Sequence, residues 1–135
     1  MAVRFNMIGI FVNDLQKTIE FYRDVIGIEV KMIDEPYAEF KHEGIGFAAF
    51  ERTKLPEWLD VTPTYPNGLN GTFELAIELP RFEDVDLEFA RVVKAGAKPV
   101  MEPKDAPWGQ RSSVIADPDG NLIEIGSFNK EAKNN

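Results

Sequence analysis

The sequence predicts an α+β protein built from two βαβββ modules, and three observations carry that prediction. A β-branched and aromatic run, an amphipathic helical segment and three short strand-like runs follow one another in the first half of the chain. The same order of elements recurs in the second half. Gly27 and Gly96, each where a helical pattern stops, align the two halves with an offset of about 70 residues, too long for a solenoid repeat and suited to two paired modules.

In module 1, about residues 1–60, Phe5 to Val12 reads as a buried strand, rich in residues that pack well on a pleated surface. The period then changes. Asn13 or Asp14 offers an N-cap, Leu15, Ile19, Tyr22 and Ile26 fall at helical spacing, and Gly27 supplies the stop. Strands are predicted over 28–33, 37–42 and 46–51, separated by the turn-forming stretches around Asp34–Pro36 and Glu43–Gly44. A linker or lid follows over about 52–70, with prolines at 56, 63 and 66 and a helical turn around Glu57–Leu59.

Module 2, about residues 71–128, repeats the pattern with a strand over 72–79, a helix from Arg81 to Gly96, and strands over 98–103, 111–117 and 121–128. Asp117-Pro118-Asp119-Gly120 has the residues a type I turn prefers, so it joins the last two strands as a hairpin. Each half therefore has one amphipathic helix to cover one face of a four-stranded sheet. The other face is free for something else.

The 135 residues, 44% hydrophobic, suffice for one compact domain with a core. The formal net charge is -8, with the acidic residues spread along the chain. Nucleic acid and anionic membrane surfaces are therefore not expected partners, since both require a cationic footprint. Without cysteine there is no disulfide, thiolate metal site or cysteine nucleophile. No apolar run approaches the roughly 18 residues of a membrane span, and the N-terminus lacks a signal pattern, so a soluble cytoplasmic protein is expected.

In the last strand, alternation puts Ile123 and Ile125 on one face and Leu122, Glu124 and Gly126 on the other. If the isoleucines meet the helix, Glu124 points away from it. Taken alone, such a residue reads as an ordinary solvated side chain.

The segments IGIFVNDLQKTIEFYRDVIGIEV (8–30) and WGQRSSVIADPDGNLIEI (108–125), with the repeated βαβββ order, resemble the vicinal oxygen chelate superfamily. That superfamily includes glyoxalase I, bleomycin-resistance proteins, extradiol dioxygenases and fosfomycin-resistance enzymes. The resemblance covers nearly the whole chain. It implies that the two modules form a cup-shaped eight-stranded mixed sheet with helices on the outer face, commonly in a homodimer, and that catalytic relatives hold a divalent metal with one ligand from each of four strands.

Matched position by position, the resemblance keeps only part of that metal site. Glu124 matches the last ligand and Glu74 the second histidine position, whereas Met7 replaces the first histidine and Ala49 falls at the glutamate of the fourth strand. Glu51 is the substitute two residues on, beside the module boundary. A thioether and a methyl group are not ligands for hard or borderline divalent ions, so nitrogen-held Zn2+ or Ni2+ is not expected. Two carboxylates with water suit weakly held Mg2+ or Mn2+. The single histidine, His42, cannot supply the two required by a dioxygenase-type iron site, and its place beside Glu43-Gly44 reads as an exposed hairpin end.

The expected function is thus a glyoxalase/bleomycin-resistance-like protein that binds a small aromatic or cationic molecule in the cup, with no cofactor or a weakly bound divalent metal. Met7, Phe11, Phe47, Ala49, Trp108 and Arg111 are the expected ligand-binding residues, and Glu74 and Glu124 the metal-binding or catalytic pair. One alternative is a lyase or isomerase in which that pair holds the ion and moves a proton. The other is a non-catalytic dimeric accessory module.

Overall fold

A computed structural model describes residues 1–130. It comprises two compact units that divide between Tyr65 and Pro66. Each contains a four-stranded mixed sheet, with strand orders β1-β4-β3-β2 and β5-β8-β7-β6.

In module 1, β1 (Met7–Val12) runs into a helix, α1 (Leu15–Glu20), that widens into a π-helical stretch over Phe21–Ile26. Asp14 caps α1 by accepting from the Lys17 amide at 3.1 Å, and Gly27 ends the helical stretch at φ 96°. The strands β2 (Val30–Asp34), β3 (Tyr37–Phe40) and β4 (Gly46–Glu51) follow, with β1 and β4 paired in parallel and the others antiparallel. Ile10, Val12, Ala38, Phe40, Phe47 and Ala49 share the face that meets α1, together with buried Leu15, Ile19, Phe21 and Tyr22. The Tyr22 and Phe47 rings meet edge to face at 5.0 Å, a geometry that adds to the stabilisation from burial alone.

The first part of the stretch expected as a linker, residues 52–59, is helical, and irregular chain follows it over 60–69. A 3-10 turn (Arg52–Lys54) leads into α2 (Leu55–Leu59), which carries Pro56 in its first turn and ends at Asp60, φ 61°. Leu55 is buried, and Arg52 ties the turn to β1 by donating from Nε to the Phe11 carbonyl at 2.8 Å. Its guanidinium also lies 4.3 Å from the Tyr65 ring centre, a cation-π contact.

In module 2, β5 (Asn70–Glu78) precedes α3 (Phe82–Lys94), followed by β6 (Lys98–Ala106), β7 (Gln110–Ala116) and β8 (Asn121–Ser127). The helix α3 packs on β6, β7 and β8, burying Phe82, Val85, Phe89 and Val92 against Ile115, Ile123 and Ile125. The last hairpin closes through Asp117. Its carboxylate accepts from the amides of Asp119 and Asn121 and from the Asn121 side chain, each at 2.9 Å, and both residues are buried. Gly120, at φ 85°, lies so close to the Gly68 carbonyl that any side chain there would force the backbone to shift.

Candidate functional site

The helix-free face of module 1 is where the sheet and α2 leave room for a ligand. Register partners place Met7, Gly9 and Phe11 of β1 beside Gly46, Ala48 and Phe50 of β4, with Tyr37 of β3 next in the row. These side chains point away from α1. Together with Leu55, Trp58 and Leu59 of α2 they line a depression of about 600 Å³. That volume lies in the range of small-molecule sites, and the walls are hydrocarbon, thioether and aromatic ring. Met7, Phe11 and Leu59 are half-exposed, and Trp58 is 77% exposed at the rim, so the depression opens outward. The polar exception is Tyr37, whose phenol pKa is raised by burial and then by neighbouring Glu39, through charge and a hydrogen bond that keeps the hydroxyl protonated and directed at that carboxylate.

Met7 and Phe11 thus come together in one depression, joined by residues not foreseen: Ala48, Phe50, Leu55, Trp58 and Leu59. The signal for the helical wall was present, since Leu55, Trp58 and Leu59 stand at positions i, i+3 and i+4 behind a proline suited to a first helical turn. Phe47 requires correction. It packs against Tyr22 and against Phe40, at 5.3 Å, in the core under α1. Ala49 needs a related correction: it borders the depression and is buried, but its register partners Ile10 and Ala38 place its side chain on the helix-covered face. The positions facing away from the helix are Ala48 and Phe50, one residue from those expected. Neither is a metal ligand.

On the helix-free face of module 2, Glu74, Ala76 and Glu78 pair with Leu122, Glu124 and Gly126. Glu74 and Glu124 therefore share one face of adjacent strands, with Glu74 exposed at the sheet edge. Glu124 is held at Oε2 by the Ser112 hydroxyl at 2.7 Å. Among the described residues, no group of three or more histidine, aspartate or glutamate side chains is arranged to hold a metal ion. Two carboxylates, one of them engaged by a hydroxyl, do not fit a tightly held divalent ion, which needs a fuller donor set.

Arg111 also requires correction. It shares the helix-covered face with Ser113 and Ile115, and its guanidinium forks onto Asp86 of α3, with both contacts at 2.7 Å, and reaches Asp105 at 2.9 Å. The hydrogen bond to Asp86 raises the Arg111 pKa further and lowers that of Asp86 against the opposing effect of burial. This arginine fastens α3 to the β6–β7 hairpin. It is committed to that role.

Trp108, at the tip of the same hairpin, is 67% exposed and donates from Nε1 to the Gln110 amide oxygen at 2.8 Å. Gln110 and Ser112 alternate onto the helix-free face with Glu124, and were missed. The turn contained the needed information. Closure between Asp117 and Asn121 pairs Ala116 with Leu122 and Val114 with Glu124, so even-numbered residues of β7 lie on the glutamate's face and Arg111 does not. His42 is exposed at its hairpin, with Nδ1 2.9 Å from the Ile45 carbonyl oxygen.

Comparison with known proteins matches residues 4–125 to the Glyoxalase/Bleomycin resistance protein/Dioxygenase superfamily. The chain is 30% identical over 122 residues to the uncharacterized protein YraH of Bacillus subtilis, covering 87% of this chain and 93% of that protein. A crystal structure of a glyoxalase/bleomycin resistance protein/dioxygenase from Nocardioides superposes with a TM-score of 0.82 at 22% identity, covering 94% of this chain and 84% of the other. A glyoxalase-related enzyme from Fulvimarina pelagi gives a TM-score of 0.82 at 23% identity, over 92% and 87% of the two chains. The family match spans both βαβββ modules, and the chain belongs to the Glyoxalase/Bleomycin resistance protein/Dioxygenase superfamily.

Proposed function

We propose that the protein binds a small planar molecule, neutral or cationic, in the module 1 depression and does so without a tightly held metal. The observation that carries this reading is the apolar lining of a space of about 600 Å³ between the β1–β4 face and α2. Removing an aromatic guest from water supplies the driving force, roughly 25 cal/mol for each Å² of apolar surface covered. Trp58 and Phe11 offer ring faces for stacking, and the Tyr37 hydroxyl, which donates to Glu39, offers its oxygen as an acceptor that orients the guest. The net charge of -8 favours a cation over an anion.

A lyase or isomerase reading would require Glu74 and Glu124 to hold an ion with water as their only helpers, and no third donor group among the described residues supports it. The binding reading keeps the homodimer implied by the resemblance, which sedimentation would detect. Among the described residues, no helix is long and apolar enough to cross a membrane.

The test is a thermal-shift series with neutral and cationic planar aromatic probes, run with and without EDTA. The reading expects a concentration-dependent rise in Tm that EDTA leaves unchanged and that Trp58→Ala diminishes. It fails if no probe raises Tm, or if the rise appears only with Mg2+ or Mn2+ present.

A further inference from the structure

The helix-free face of module 2 holds one donor and one acceptor in fixed positions and leaves both uncommitted. Gln110 opens β7 and is 6% exposed. An indole nitrogen can only donate, so the bond from Trp108 Nε1 turns the Gln110 amide oxygen toward the ring and Nε2 the opposite way. That nitrogen lies over Gly126, where an added Cβ would come within 2.7 Å of it. The glycine provides the room. Among the described residues Nε2 donates to no acceptor, and the one side-chain polar atom sealed from solvent without a partner is the Tyr65 hydroxyl, so Nε2 keeps access to the outside.

Glu124 is the matching acceptor, two residues before Gly126 on the same face. The hydroxyl of Ser112, a residue 4% exposed, fixes Oε2 from one side, and Oε1 accepts no hydrogen bond from the described residues. Polar groups of buried and half-buried residues are ordinarily paired, so an unpaired donor over Gly126 and an unpaired acceptor two residues away on the same face mark a place that a ligand can complete.

We propose that Gln110 Nε2 and Glu124 Oε1 form a binding site for a neutral amide-type group, meaning a carboxamide, lactam or ureide. Such a group presents an acceptor oxygen to Nε2 and an N–H to Oε1. A carboxylate lacks the N–H and meets the like charge of Glu124. An amidinium satisfies Glu124 but has no acceptor for Nε2. The site lies wholly within module 2 and uses no residue of the apolar depression, so either can exist without the other.

The experiment is 15N NMR of the full chain titrated with propionamide, propionate and propionamidine, non-aromatic probes with little affinity for a ring-lined depression. Propionamide is expected to shift the Gln110 side-chain amide and the Trp108 indole resonance saturably, binding at least fivefold more tightly than the other two. Gln110→Glu keeps an oxygen for the indole and removes the donor. It should weaken propionamide at least fivefold while the Trp108 indole resonance persists. If that variant does not fold, Gln110→Met, similar in length and without a donor, carries the same expectation. The proposal is overturned if propionamide gives no saturable shift, if propionamidine binds as tightly, or if the folded variant binds propionamide undiminished.

Discussion

Replacing Gly9 by leucine should block the module 1 depression while leaving the sheet beneath it sound. Gly9 stands in the middle of β1 opposite Ala48, facing away from α1, and a Cβ built there meets only the Met7 Cε, at 3.8 Å. That is ordinary van der Waals contact, so the folded chain tolerates the new side chain. A strand-interior glycine costs about 0.5–1 kcal/mol in backbone entropy, which the substitution recovers. For a chain of this length, that amounts to a rise in Tm of about 1–4 °C. The leucine then occupies space the guest would use. Forcing extra methylene groups into a packed site costs about 1–3 kcal/mol. In Kd this is a loss of about 5- to 150-fold for a planar aromatic probe. Urea denaturation gives the stability, and a titration following Trp58 fluorescence in a Trp108→Phe background gives the affinity. The reasoning is refuted if the variant binds within twofold of the parent, or if it unfolds at lower urea.

Two further predictions concern the frame around the sites. Gly120 and Gly109 share φ 85°, but an added Cβ meets the Gly68 carbonyl oxygen at 2.0 Å in the first case and nothing within 4 Å in the second. Gly109→Ala should therefore cost only the left-handed strain of about 1–2 kcal/mol. Gly120→Ala should cost about 2–5 kcal/mol, because it adds a clash with backbone; equal losses in urea melts would show that the Gly68 contact does not matter. The ion cluster at Arg111 gives a pH dependence. The Asp86 carboxyl is held below its ordinary value by Arg111, so its contribution is complete above about pH 4, the unfolded value, and fades as pH falls through the depressed folded value. Because its side chain is 47% exposed, Asp86→Asn should cost no more than about 1 kcal/mol at pH 7 and flatten the loss of stability below pH 4. An unchanged acid slope would contradict the assignment.

The element order was legible because period and punctuation agree: Asp14 caps α1, Gly27 ends its continuation, and the Asp117–Gly120 turn closes the last hairpin. Facing was less so. Phe47, Ala49 and Arg111 were each assigned one residue from the position that faces away from the helix, and in a strand a one-residue slip exchanges the two faces. In β4 the run Gly-Phe-Ala-Ala-Phe carries no alternation to settle the matter. In β7 the register could have been counted from the turn. Of α2 only a helical turn around Glu57–Leu59 is legible among the prolines and asparagines, although Leu55, Trp58 and Leu59 have helical spacing that marks a wall. The α3–Arg111–Asp105 fastening involves residues 25 and 6 apart in sequence, pairings that no local pattern reveals.

Methyl NMR of Met7 tests the central claim most directly, because its side chain lies in the wall of the depression and is 46% exposed. With 13C-methyl methionine labelling and a planar cationic aromatic probe, the Met7 resonance should shift saturably and upfield, as expected for a methyl beneath a ring. Met101, in β6 of module 2, should stay in place, and Gly9→Leu should abolish the Met7 shift. A Met7 resonance that does not respond, or one whose response survives Gly9→Leu, would contradict ligand binding in this depression.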